Sequence, residues 1–83
     1  MKPIEIKVAR LRKGLSQRDM ARQLGVSASS YQKKEQGYVR FSDDEKLKIT
    51  EILGLTYDQF NDIFYDGKLP AGDGSGRNIA LTV

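Results

Sequence analysis

The chain has neither cysteine nor histidine among its 83 residues. Without cysteine there is no disulfide framework and no thiolate zinc site. Without histidine, the usual imidazole metal ligand and the usual general base at neutral pH are both missing. No apolar run approaches the roughly 20 residues that span a bilayer, and the opening MKPIEIKVAR lacks the apolar core of a secretory leader. Metal-ligand clusters and a glycine-rich phosphate cradle are also missing. These absences argue against an enzyme and lead us to expect no cofactor and no metal, in a soluble cytoplasmic protein. No segment before residue 77 alternates as a half-buried strand does, so the expected class is all-α. At this length the chain supports one small core.

What is present is unevenly distributed. Residues 1–40 carry ten Lys and Arg against three acids, whereas residues 41–83 carry four against eight. One half of the molecule therefore projects a positive field, as a polyanion-binding surface requires.

Helix starts can be read from their caps. Ser16 and Ser27 stand where an N-cap hydroxyl accepts a first-turn amide, and Ser42-Asp43-Asp44-Glu45 and Thr56-Tyr57-Asp58-Gln59 are capping boxes. Capping also explains the acids 43–45 without a catalytic role. Gly14, Gly25, Gly37 and Gly54 follow apolar-periodic segments as stops, and Pro3 suits a first helical turn. Helices are predicted at roughly 3–13, 17–24, 28–36, 43–53 and 57–65, with Ile4, Val8 and Leu11 as the apolar face of the first. A domain over 1–65 is followed by a linker-like stretch, YDGKLPAGDGSGR, and a tail in which Ile79, Leu81 and Val83 share one side of an extended chain. Residues 66–83 are thus expected to form a glycine-rich linker and a tail for dimerisation or docking.

The stretch 16–37, SQRDMARQLGVSASSYQKKEQG, places two short helices around Gly25-Val26-Ser27. Ala21 is small enough for a close helix crossing, and Gly25 supplies the positive φ of a tight turn. Val26 and Tyr31 point into the core, whereas Ala28, Ser29, Gln32, Lys33 and Gln36 are small or hydrogen-bonding residues on the outward side of the second helix. Such a face suits base edges and phosphates.

The pattern Gln17-x-x-x-Ala21-x-x-x-Gly25-Val26-Ser27-x-x-x-Tyr31-x-x-x-Glu35-x-Gly37 resembles the helix-turn-helix of the phage repressor/Cro-like regulators, also described as lambda repressor-like or XRE-type. The likeness extends over about residues 4–64. It implies a compact five-helix DNA-binding domain with the helix-turn-helix at 17–36 and recognition helix 28–36 in the major groove. It makes Ala28, Ser29, Gln32 and Lys33 the base-facing set. Gln32 suits adenine, Lys33 guanine, and Ala28 a thymine methyl. Gln17, Arg18, Ser27, Tyr38 and Arg40 fall at phosphate-contacting positions. Arg10 and Glu35 stand where relatives form a partly buried ion pair. Lys34 departs from the family by replacing an apolar residue. Its stem is expected along the core edge, with the ammonium in solvent or on phosphate.

One recognition helix reads few base pairs, so the resemblance also implies a homodimer on a palindromic operator in double-stranded DNA. The expected dimer interface is Tyr57, Phe60, Ile63 and Phe64, with Ile79 and Leu81 of the tail. The resulting expectation is a phage- or prophage-type transcriptional repressor. The alternative is the antitoxin of a toxin–antitoxin pair, and a toxin or antirepressor is the kind of protein partner such a chain could take. No membrane partner is expected.

Overall fold

A computed structural model describes residues 1–70, and over that span the chain is five helices. They are α1 (Pro3–Arg12), α2 (Gln17–Leu24), α3 (Ala28–Glu35), α4 (Asp43–Leu53) and α5 (Tyr57–Tyr65). Among the described residues there is no strand and no helix long and apolar enough to cross a membrane. The expected residues 79, 81 and 83 of the tail lie outside the described part.

The caps explain the boundaries. Ser42 and Thr56 form the two anticipated boxes with Glu45 and Gln59, and Ser27 caps α3 by accepting from the Ser30 amide. Ser16 makes a third box, with Asp19 in the place usually taken by Glu or Gln. Helix α5 ends on Asp66 in the left-handed region, φ 53°, followed by Gly67.

The core is centred on Ile6, Met20, Tyr31 and Ile49, all fully buried. An aromatic chain runs through it. Tyr31 and Phe41 lie 6.1 Å apart, Phe41 meets Phe64 edge-on at 6.1 Å, and Phe64 and Phe60 are 5.4 Å apart. Phe60, Ile63 and Phe64 therefore fill the protomer's own core at 4–6% exposure, which leaves little of their surface for the expected dimer contact. Tyr57 is half-buried, and its hydroxyl donates to the Pro70 carbonyl.

Two further expectations change. The face Ile4, Val8, Leu11 of α1 does not enter the core. Ile6 and Arg10 do, while Ile4 and Leu11 stay 62% and 55% exposed. Residues 66–70, expected as linker, fold back on α5. The Asn61 amide donates to the Leu69 carbonyl at 3.0 Å and accepts from the Leu69 amide at 2.9 Å, and Leu69 packs on the core. Residues 66–70 are thus held to the helical domain rather than leading away from it.

Candidate nucleic-acid interface

Helices α2 and α3 pack closely against each other. Ala21 is 2% exposed at their crossing, Gly25 turns the chain at φ +73°, and the Val26 amide donates to the Ala21 carbonyl at 3.0 Å. A Cβ at Gly25 would meet nothing within 4 Å, so glycine is needed there for its backbone conformation rather than for space.

This packing divides α3 into two faces. Tyr31 and Glu35 are buried. Ala28, Ser29, Gln32, Lys33 and Gln36 are exposed, and neither Gln32 nor Lys33 has a side-chain partner among the described residues. The Ser27 hydroxyl is engaged as the cap of the Ser30 amide at 3.1 Å. Arg18, Tyr38 and Arg40 are exposed. Gln17 and Tyr38 line one groove with Lys7 and Ile4, and Arg40 lines an adjoining cleft that shares Pro3 and Gln36 with it. The candidate phosphate contacts at Gln17, Tyr38 and Arg40 therefore lie along one continuous border of the exposed α3 face.

Beneath that face lies a buried polar knot. Arg10 donates to both oxygens of Glu35, from Nε at 2.8 Å and Nη2 at 3.1 Å, and from Nη1 to the Leu15 carbonyl at 2.8 Å. The side chains of Arg10 and Glu35 are 6% and 4% exposed, so the anticipated ion pair is present and buried. The residue pattern alone did not show its other members. The Tyr31 hydroxyl donates to Glu35 Oε2 at 2.6 Å, and Gln17 Nε2 donates to Oε1 at 3.1 Å. Gln17 is thereby oriented by the carboxylate beneath it. Burial pushes the Glu35 carboxyl up, but hydrogen bonds from Arg10, Tyr31 and Gln17 outweigh it and hold the group below its ordinary value. The hydrogen bond to Glu35 raises Arg10, and burial raises Tyr31.

Lys34 also departs from expectation. Its ammonium reaches neither solvent nor an open phosphate site but donates to Glu45 Oε2 at 2.6 Å, with the two side chains 16% and 13% exposed. Glu45 Oε1 meanwhile accepts the Ser42 amide at 2.8 Å. One carboxylate thus caps α4 and ties it to α3. Glu45 lies below its ordinary value because the hydrogen bond from Lys34 and the amide of Ser42 outweigh burial. A lysine at an apolar family position gives no sign of which acid answers it, and Glu45 was already explained as a cap.

Among the described residues no group of His, Cys, Asp or Glu is arranged to hold a metal. Two short helices crossing at a small residue, with a rigidly backed polar face on the second, define a helix-turn-helix DNA-binding domain. The helix-turn-helix family model matches residues 6–60, and the chain belongs to that Cro/C1-type family of DNA-binding transcription regulators. No curated protein and no solved structure matches the chain significantly.

Proposed function

We propose that this protein is a repressor that binds a palindromic operator as a homodimer, with α3 in the major groove. The observation that carries this reading is the outward face of α3. Ala28, Ser29, Gln32 and Lys33 are exposed, Gln32 and Lys33 are free of side-chain partners among the described residues, and the helix is fixed from behind by Glu35 and Lys34. A groove-reading helix must combine free donors and acceptors with a fixed pose, because a mobile helix cannot hold bidentate geometry.

In this reading Gln32 pairs with an adenine edge, Lys33 donates to guanine O6 and N7, and Ala28 packs on a thymine methyl. The first-turn amides of α2, with the Gln17 side chain, meet one phosphate, and Arg18 lies beside it. Tyr38 and Arg40 contact the backbone beyond the far end of α3, and Ser27 lies at its near end. These contacts set register, while the α3 face sets sequence.

Selection from a randomised duplex pool at near-physiological salt tests the proposal, with a Gln32→Ala/Lys33→Ala variant in parallel. The expected result is an enriched inverted repeat whose preference relaxes at the affected positions, by about 1–3 kcal/mol for each lost pair. Because both residues are exposed and unpaired, the variant should keep its stability within about 0.5 kcal/mol. Salt-sensitive binding without any enriched sequence would remove the operator reading. An antitoxin role would draw on the tail, which lies outside the described residues, and no feature of residues 1–70 favours it.

A further inference from the structure

Among the described residues nothing covers the outer face of α1 at Ile4 and Leu11. Ile4 and Leu11 are 62% and 55% exposed, and Val8, half-buried at the edge of the groove between α1 and α5, stands between them along the helix. Spacings of four and three residues align the three on a single stripe. Ile6 and Arg10, which point into the core, occupy the opposite side. Two exposed aliphatic side chains flanking a half-buried one, on a helix that already has a buried side, call for a partner.

The charges flanking the stripe identify the partner. Glu5 and Arg12 lie on one flank, where both line the groove between α1 and α5 with Val8 and Ala9. Lys7 lies on the other flank, in the groove that it shares with Ile4, Gln17, Gln36 and Tyr38. We propose that the Ile4–Val8–Leu11 face of α1 is the contact between two copies of this chain, crossing antiparallel about a two-fold axis at Val8. In that arrangement Ile4 packs beside Leu11 of the second copy, and Val8 meets its equivalent. Like flanks meet in an antiparallel pair, so Glu5 faces Arg12 of the second copy and Arg12 faces its Glu5. The surface is complementary to itself in both shape and charge, as an isologous interface must be. A foreign partner would need no such pairing of an acid and a base one heptad apart.

The arrangement also fits the proposed DNA-binding reading, on which this part of the inference rests. The two-fold axis stands perpendicular to the paired helices, so the Lys7 flanks of both copies lie on the same side. That flank borders Gln17 and Tyr38, so both candidate DNA surfaces face one way, as an operator with two-fold symmetry requires. It also brings the two Lys7 ammonium groups toward each other on that side, which weakens the pair in free solution and is relieved where phosphates approach. Three aliphatic side chains per copy fall short of the roughly 1,200 Å² buried in a standard interface, so the free dimer is weak.

The test is sedimentation equilibrium of the full chain without DNA, up to high concentration. The wild type should self-associate reversibly. Leu11→Glu should weaken that association about tenfold or more, and Glu5→Arg about three- to tenfold. The double variant Glu5→Arg/Arg12→Glu should restore it, and Lys7→Ala should tighten it. All of these side chains are exposed, so circular dichroism should show unchanged helicity in each variant. Binding to a duplex with a single half-site should survive Leu11→Glu, whereas the tighter binding to the inverted repeat should be lost. A wild type that stays monomeric at every concentration, or a charge reversal that is not rescued, overturns the interface. Neither result touches the DNA-binding reading, which the single half-site duplex tests alone.

Discussion

Two glutamates hold α3, and they do so differently. Glu35, near the C-terminal end of α3, accepts four hydrogen bonds from three side chains and ties α3 to α1 and α2. Glu45, in the first turn of α4, accepts one from Lys34 and one from the Ser42 amide. The first partner is a planar guanidinium that meets both oxygens of its carboxylate, and the second is a single ammonium on a flexible stem. Glu35 also lies deeper, at 4% side-chain exposure against 13% for Glu45. A buried charge becomes costly when its partner leaves, and the cost grows with depth. The Glu35 knot should therefore be the essential fastening and the Lys34–Glu45 link a replaceable one.

Titrating both carboxylates together is the broadest way to break the pair. Each lies below its ordinary value of 4.5, so the unfolded chain takes up protons first as the pH falls. The stability they confer is complete above about pH 5 and is lost progressively below about 4.5. With no histidine in the chain, the melting temperature should be nearly flat from about pH 5.5 to 8. A step within that window would show that another group governs stability.

Arg10→Met strands Glu35 and should cost about 3–5 kcal/mol in urea unfolding. This is a large part of the roughly 5–15 kcal/mol that holds a small domain together. Tyr31→Phe removes only the 2.6 Å donor to Glu35 and leaves the ring packing intact, so about 1.5–3 kcal/mol is expected. Lys34→Met restores an apolar side chain where the family usually has one, and Glu45 keeps its Ser42 amide and lies nearer to solvent. Its cost should be under about 1 kcal/mol. If Lys34→Met proved as damaging as Arg10→Met, the ranking by depth and geometry would fail.

Much of the fold was legible because caps and stops are local. Ser16, Ser27, Ser42 and Thr56 begin helices where they were expected to. The Arg10–Glu35 pair was legible only through the family resemblance, since 25 residues separate its members. The misplaced elements have one physical origin. The spacing of Ile4, Val8 and Leu11 correctly describes a helix face, but periodicity does not say which way a face points when Ile6 and Arg10 offer another. The aromatics of α5 were expected to face a second copy, but Phe41, in the distant α3–α4 loop, meets Phe64 within the protomer. Residues 66–70 read as linker because the side chain that secures them, Asn61, lies back within α5.

The segment between α3 and α4 is fastened at both ends. Behind it the Tyr38 amide donates to the Lys33 carbonyl at 2.9 Å and the Gly37 amide to the Lys34 carbonyl at 3.1 Å. Ahead of it Ser42 and Glu45 close the α4 cap, which Lys34 joins to α3. Tyr38 and Arg40 thus project from backbone that is already ordered. Fixing a residue's backbone costs about 1–2 kcal/mol of conformational entropy, and here that loss accompanies folding rather than ligand capture. Engagement of this edge by a polyanion should show the heat-capacity change of surface burial alone, without the larger signature of a loop that folds as it binds.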